Sequence, residues 1–163
     1  MASAAKTSVD VAFMLNASEV RATVDVGTTA FDLLRQDLGL VNVRSTCDGL
    51  GVCGTCTILV DGRASPSCLL LAADLAGARV ETIDALADGD TLHPLQRAFV
   101  AHGALQCGYC TAGMLLAAKA LLDQTPRPTR EQIARALTGN ICRCTGYAKI
   151  IDAVEAAARE LSA

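Results

Sequence analysis

The 163-residue chain contains no tryptophan, and its two tyrosines and three phenylalanines make up only 3% of the residues. Because platforms that stack nucleobases are built from aromatic side chains, this scarcity argues against binding of single-stranded nucleic acid. Positive charge is also scarce, since 14 basic residues face 17 acidic ones and leave a net charge of -3. No apolar run approaches the ~18 residues of a membrane span. We therefore expect no nucleic-acid partner and no membrane span.

The N-terminal segment MASAAKTSVDVAFML lacks the features of an export signal. Its only apolar run contains an acid, Asp10, and no pair of arginines precedes it. Signals for secretion need an uninterrupted apolar region or a twin-arginine motif. We therefore expect a cytoplasmic location.

Eight cysteines stand out in a chain that is otherwise aliphatic, with 52% hydrophobic residues. The cytoplasm keeps thiols reduced, so disulfides are a poor explanation for them. Eight thiols divide into two sets of four, the number that completes one metal site.

The first half of the chain shows the two-residue period of β-strands. Residues 9–15 and 20–26 alternate between apolar and polar side chains and predict a hairpin. A short helix with Phe31, Leu34 and Leu38 on one side should follow and end at Gly39. Two further strands are predicted, over residues 57–60, closed by an Asp61-Gly62 turn, and over residues 79–83.

Past residue 84 the period changes to that of helices. A helix should begin at Pro94 and end at Gly103, and residues 111–123 are apolar on nearly all sides, as in a buried helix. Thr129 and Gln132 form a capping box for a third helix, which Gly139-Asn140 should end. A last amphipathic helix covers residues 147–161. We predict an α+β chain with one unit over 1–83 and a helical unit over 84–163.

The stretch CDGLGVCGTC, residues 47–56, supports two interpretations. Gly49, Gly51 and Gly54 match the G-x-G-x-x-G spacing of a dinucleotide-binding loop. That loop must open a helix, so that the pyrophosphate meets the helix N-terminus, whereas the residues here lead into a predicted strand. Glycines also let a loop wrap closely around a metal cluster. We favour the metal site.

Two sets of metal ligands follow from the spacing. Cys47, Cys53, Cys56 and Cys68 read C-x5-C-x2-C-x11-C, one residue longer in the first gap than the plant-type ferredoxin run, and predict a [2Fe–2S] site. The second set pairs Cys107 and Cys110 with Cys142 and Cys144. Zinc is the competitor for any set of four cysteines. His93 is interpreted as a helix-start residue and His102 as a helix-face residue, so neither is assigned to metal, and no acid–base pair indicates catalysis by this chain.

Three motifs, CDGLGVCGTCTILVDG, LQCGYCTAGM and GNICRCTGY, resemble those of the iron–sulfur subunit of the molybdenum hydroxylases, the xanthine oxidase and carbon monoxide dehydrogenase family. The resemblance covers nearly the whole chain and includes all eight cysteines. It implies a β-grasp, plant-ferredoxin-like N-terminal domain and an all-α four-helix-bundle C-terminal domain, each with one [2Fe–2S] cluster. The chain departs from the family at Thr46 and Ala112, where glycine and proline are usual, and in the five residues between Cys47 and Cys53, where four are usual.

The resemblance also implies a role in an oxidoreductase complex. Electrons from a molybdopterin cofactor, in its cytosine dinucleotide form, on a large subunit would pass through the helical-half cluster and the ferredoxin-like cluster to FAD on a medium subunit. The complex would be a dimer of heterotrimers, and Gln106 would hydrogen-bond the pterin. Two rivals remain: a free-standing two-cluster electron carrier and a zinc-stabilised interaction module.

Overall fold

The computed structural model describes residues 7–162, so the first six residues of the N-terminal segment discussed above lie outside it. Five strands form one mixed sheet: β1 (Ser8–Leu15), β2 (Ser18–Asp25), β3 (Thr57–Val60), β4 (Arg63–Pro66) and β5 (Arg79–Glu81). Their order across the sheet is β2-β1-β5-β3-β4, with β1 and β5 parallel and the other pairs antiparallel.

The helical segments of this sheet half are short. One helical turn, α1 (Ala30–Asp32), continues into a π-helical turn, Leu33–Asp37, and the chain reverses at Gly39, whose φ is +71°. Three 3₁₀ turns follow, at Ser67–Leu69, Ala72–Leu75 and Ile83–Ala85. The predicted hairpin, the short helix and the strand at 57–60 are confirmed.

The second half contains four helices: α2 (Pro94–Ala101), α3 (Thr111–Gln124), α4 (Arg130–Ala136) and α5 (Ala148–Leu161). His93 caps α2 and accepts the Leu95 amide on Nδ1 at 3.2 Å, as its interpretation as a helix-start residue predicts. His102 was predicted to lie within α2, but the helix ends at Ala101 and His102 is its C-terminal cap. No helix in residues 7–162 is both long and apolar enough to cross a bilayer.

Two predicted boundaries were wrong for local reasons. The strand predicted over residues 79–83 ends at Glu81, because the next amide, of Thr82, donates to the side chain of Asn16 at 2.9 Å. Helix α4 ends at Ala136, before Gly139, because the Thr138 hydroxyl donates to the Arg135 carbonyl at 2.8 Å and competes with the helical pattern.

Each half has its own hydrophobic core. The core of the sheet half joins the inner face of the sheet to α1 and includes Phe13, Leu33 and Ile58. The core of the helical half is centred on Phe99 and Met114. A third, small cluster (Leu59, Leu116 and Ala120) packs β3 against α3 and so joins the two halves.

Candidate metal centres

The first cysteine set lies where the long loop of residues 38–56 meets the β3–β4 hairpin. Because Thr57 pairs with Pro66 in that hairpin, the residues just outside it, Cys56 and Ser67, are brought together. Ser67 donates both its amide, at 3.2 Å, and its hydroxyl, at 2.8 Å, to the Cys56 carbonyl. This pairing returns Cys68 to the side of Cys56, from which it is separated by eleven residues in sequence.

Three thiols of this set influence one another. Burial raises the pKa of the Cys68 thiol to about 11, and the adjacent thiols of Cys56 and then Cys47 add to the rise. Cys53, Cys56 and Cys68 are buried and Cys47 is half-buried. The Cys68 thiol therefore keeps its proton at neutral pH and releases it when it binds a metal cation.

Cys53 has a different environment. Burial raises the pKa of its thiol, but hydrogen bonds from the side chains and then the amides of Thr46 and Thr55 outweigh it and lower the pKa to about 6. The Thr55 Oγ1 atom lies 3.1 Å from Cys53 Sγ. This position is therefore arranged to hold a negatively charged sulfur.

The additional residue between Cys47 and Cys53 is accommodated by a tight turn. The Leu50 amide donates to the Cys47 carbonyl at 3.0 Å, and the two central residues, Asp48 and Gly49, have φ values of +47° and +86°. Positive φ at both central positions is typical of a type I′ turn, in which aspartate and glycine are favoured. The motif's longer first gap thus has a local structural explanation.

The second cysteine set joins the start of α3 to the loop between α4 and α5. Cys107 and Cys144 are exposed, with their sulfurs 3.6 Å apart. Cys110 caps the N-terminus of α3, where burial and then contact with the Cys142 thiol raise its pKa to about 12. For Cys142, the Thr145 hydroxyl, 3.0 Å from the sulfur, and its amide overcome the opposing effect of burial and lower the thiol pKa.

Tyr147 fixes the loop that carries Cys142. Its hydroxyl accepts the Cys142 amide at 2.9 Å and donates to the Asn140 carbonyl at 3.2 Å. The sequence pattern placed Tyr147 only on the apolar side of α5, since helical periodicity carries no information about a hydroxyl that reaches back to a loop.

The two cysteine loops meet at a close seam. The Ile141 amide donates to the Cys53 carbonyl at 2.9 Å, and the buried Asn140 side chain donates to the Gly54 carbonyl at 2.8 Å. A Cβ atom on Gly54 would lie 2.2 Å from the Gly139 carbonyl oxygen, and one on Gly113 would lie 2.2 Å from the Gly54 carbonyl oxygen. These glycines are therefore required by the approach of two backbones.

A second contact crosses the seam near the surface. The Tyr109 hydroxyl donates to the Ser45 carbonyl at 2.9 Å, and the Arg44 guanidinium lies 5.4 Å from the centre of the Tyr109 ring, within reach of a cation–π interaction. The loop before Cys47 is thereby tied to the loop between Cys107 and Cys110.

The spacing between thiols distinguishes the kinds of metal that fit. The sulfurs of Cys107 and Cys144 lie 3.6 Å apart. The thiol of Cys142 raises the pKa of Cys110, and that of Cys56 raises the pKa of Cys68, so each of these thiols also has a cysteine neighbour. Four thiolates shared between two irons supply two to each, so pairs fit a [2Fe–2S] cluster better than one tetrahedral zinc.

A buried hydroxyl supports the same fit. In the part of the chain that the structure describes, Ser45 Oγ is the one buried side-chain nitrogen or oxygen without a hydrogen-bond partner. It lies two residues before Cys47. Buried polar groups are nearly always paired. The sulfurs of a cluster accept hydrogen bonds, so a cluster bound here would supply the acceptor that the Ser45 hydroxyl lacks.

Gln106 lies at the surface beside the second set. Its Nε2 donates to the Cys144 carbonyl at 3.2 Å, and the side chain is exposed. One amide proton is used by this bond, which leaves the carbonyl oxygen and the other proton available.

Comparison with known proteins finds two iron–sulfur domains in the chain. A 2Fe-2S iron-sulfur cluster binding domain matches residues 13–87, and a second [2Fe-2S] binding domain matches residues 82–155. The nicotine 6-hydroxylase small subunit of Paenarthrobacter nicotinovorans is 48% identical over 146 residues, which cover 90% of this chain and 87% of that one. The nicotinate dehydrogenase small FeS subunit of Eubacterium barkeri is 47% identical, with 76% and 78% covered.

The fold has a solved counterpart. The crystal structure of quinoline 2-oxidoreductase from Pseudomonas putida 86 contains a chain of 40% identity that superimposes with a TM-score of 0.90, over 95% of this chain and 96% of that one. The α+β class predicted from the sequence, a ferredoxin-like sheet unit followed by a helical one, is confirmed.

Proposed function

Because the chain belongs to the molybdenum hydroxylase family as an electron-transferring iron–sulfur subunit of an oxidoreductase, we propose that it relays electrons from a molybdenum centre on a large subunit to FAD on a medium subunit. In this proposal the second cysteine set receives the electron and the first set passes it on. The chain itself performs no substrate chemistry and carries no catalytic residue.

The observation that supports this proposal best is the hydrogen bond between the Ile141 amide and the Cys53 carbonyl, 2.9 Å long. Ile141 precedes Cys142 in the chain, so covalent bonds and this one hydrogen bond connect a thiol of each set. Electron tunnelling weakens steeply across space that no bond bridges. A continuous bonded route between the two sets is what a relay between two clusters needs.

We assign all eight cysteines as ligands. One [2Fe–2S] cluster is assigned to Cys47, Cys53, Cys56 and Cys68, and the other to Cys107, Cys110, Cys142 and Cys144. When bound, each cluster accepts and gives up one electron. The four thiols of the second set would hold the second cluster together, with Cys107 and Cys144 on its exposed side.

The large subunit is assigned to the surface around the exposed pair Cys107 and Cys144. Leu105, Tyr109 and Ile141 are exposed apolar side chains of this surface, and exposed apolar groups around a site indicate a covered face. Gln106 lies among them, and its free amide groups suit the edge of a pterin. We propose that the cofactor there is molybdopterin cytosine dinucleotide.

The FAD-binding medium subunit is assigned to the surface around the loop of the first cysteine set. Leu50, Val52 and Leu69 surround the loop of the first set and are 74%, 59% and 61% exposed. Such exposure is expected of a face that a partner covers and is unfavourable for a carrier that diffuses alone. A dimer of heterotrimers in the cytoplasm, with domain units over residues 1–83 and 84–163, completes the proposal; the two separate cores support the division.

The experiment that tests this function is iron analysis and low-temperature EPR of the purified complex. We expect about four irons per chain and, after reduction, two distinct EPR signals. A colourless protein with stoichiometric zinc would replace the relay by the zinc module. A chain that carries both clusters but purifies and functions without partner subunits would be a free carrier instead.

A further inference from the structure

The Thr55 hydroxyl has two acceptors and one proton. Its Oγ1 atom lies 3.1 Å from Cys53 Sγ and 3.1 Å from the carbonyl oxygen of Arg44. The residue is only 4% exposed, so water does not compete for the hydroxyl. A single proton can serve one of these acceptors at a time, and rotation about the Cβ–Oγ1 bond exchanges them.

Two more hydroxyls lie close to the first set. The Thr46 side chain also lowers the pKa of the Cys53 thiol, and the buried Ser45 Oγ has no partner in residues 7–162. The second set has one hydroxyl of this kind, on Thr145, 3.0 Å from Cys142 Sγ. A threonine hydroxyl thus contacts one sulfur of each set, from Thr55 in the first set and from Thr145 in the second.

We propose that Thr55 sets the reduction potential of the first cluster, because its hydroxyl donates to Cys53 Sγ when the cluster gains an electron and to the Arg44 carbonyl when it does not. This inference rests on the proposed function, in which Cys53 is an iron ligand. The electron comes from the second cluster, which is oxidised as the first is reduced, and the hydroxyl proton stays on Thr55. The covalent O–H bond of Thr55 stays intact, and only the acceptor of its hydrogen bond changes.

The physical reason is a difference in charge. A cluster that has gained an electron places more negative charge on its thiolate sulfurs, and a donor stabilises the more negative state more strongly. Hydrogen bonds to sulfur are one of the main controls that a protein has over cluster potential. Thr55 thus favours the electron on the first cluster, the one proposed to pass it to FAD.

The test is a potentiometric EPR titration of the purified complex carrying Thr55→Val. Valine keeps the shape and removes the hydroxyl. At fixed solution potential, we expect the ratio of reduced to oxidised first cluster to fall by about three- to ten-fold, where ten-fold corresponds to ~59 mV for a one-electron couple. The second cluster should keep its potential. Thr55→Ser, which retains a hydroxyl, should restore most of the wild-type ratio.

Thr145→Val is the matched control, because it removes the corresponding hydroxyl from the second set. It should lower the potential of the second cluster and leave that of the first unchanged. If Thr55→Val lowers the unfolding temperature but leaves the first potential unchanged, the hydroxyl serves only the Arg44 carbonyl, and the inference is wrong.

A variant that fails to assemble does not end the test. Should Thr55→Val lose the first cluster, Thr55→Ala removes the same hydroxyl with a smaller side chain and is expected to shift the same potential in the same direction. An unchanged potential in that variant would overturn the inference. Failure of the proposed function would look different, because the unmodified complex would then lack two [2Fe–2S] signals.

Discussion

The first cysteine set is enclosed by the sheet half, whereas the second opens onto the surface of the helical half. In the first set three thiols are buried and Cys47 is half-buried, whereas in the second set Cys107 and Cys144 are exposed and only Cys142 is buried. The scaffolds differ as well: strand pairing and a glycine-rich loop position the first set, and a helix start and one loop position the second. The chain thus presents one site to a partner directly and keeps the other behind a thin, mostly apolar cover.

The largest effect is expected from Cys110→Ser. Cys110 begins α3, whose side chains fill the centre of the helical core, so loss of this ligand should remove the second cluster and loosen that half. The EPR signal of the first cluster should remain, because its core is separate. Iron content falling to about two per chain, together with a lower unfolding temperature, would agree with this expectation. Loss of both signals from a folded chain would show that the two sets are not independent.

Cys53→Ser should do the reverse with less damage to the fold. The first cluster should be lost or altered, and the second signal should be retained. Cys53 lies in a loop, so we expect a smaller fall in unfolding temperature than for Cys110→Ser. Comparing the two variants by EPR and thermal unfolding tests whether the helical scaffold depends on its cluster more than the sheet scaffold does. Equal falls in unfolding temperature in the two variants would show that both scaffolds depend equally on their clusters.

Gly54→Ala is expected to disrupt the seam without removing any ligand. Gly54 has a φ of +68°, and a Cβ atom would lie 2.2 Å from the Gly139 carbonyl oxygen. Backbone strain and overpacking together should cost about 2–5 kcal/mol in the free energy of unfolding. Displacement of the Gly139–Ile141 segment should also weaken the bond to Cys53 and slow electron transfer between the clusters.

Gly62→Ala is the matched control for the seam. Gly62 has a similar φ, +76°, but no atom lies within 4 Å of the position of its Cβ. It should therefore cost only the backbone strain, about 1–2 kcal/mol, and leave electron transfer unchanged. Similar losses of stability and of electron-transfer rate in both variants would mean that the contact across the seam is unimportant.

The smallest effect is expected from Gln106→Ala. No ligand is removed, so iron content and both EPR signals should stay nearly the same. The hydrogen bond to the Cys144 carbonyl is lost, as is the proposed bond to the pterin. One such bond contributes about 0.5–1.5 kcal/mol, so electron transfer from reduced molybdenum, or retention of the cofactor, should change a few-fold. Rapid-reaction kinetics of the complex measures the first and cofactor analysis the second; no change in either would make Gln106 an ordinary surface residue.

Much of the fold could be predicted from the sequence, because local periodicity and turn residues determine most of its elements. The hairpin, the strand at 57–60, the capping box at Thr129 and the buried helix α3 all have such signals. Strand β4 was missed because its sequence, RASP, is short and does not alternate clearly between apolar and polar residues. Its formation depends on pairing with β3.

The sequence indicated the metal ligands of the candidate sites but not the residues around them. The spacing and the family resemblance indicated the eight cysteines, but neither showed the contacts of Asn140, Tyr147 or Thr55. Asn140 and Gly54 are 86 residues apart in sequence, and nothing in the local pattern of either relates one to the other. The roles of such residues depend on how the two halves pack, which periodicity does not describe.

The exposed pair Cys107 and Cys144 has a consequence for biosynthesis. In the proposed complex, the surface around these thiols is the one that the large subunit covers, so iron and sulfide can enter from solvent only before that subunit docks. Three thiols of the first set, those of Cys53, Cys56 and Cys68, are already buried in the folded chain before any partner docks. We therefore expect the ferredoxin-like site to receive its cluster first and the helical site to receive its cluster second. The large subunit should bind last.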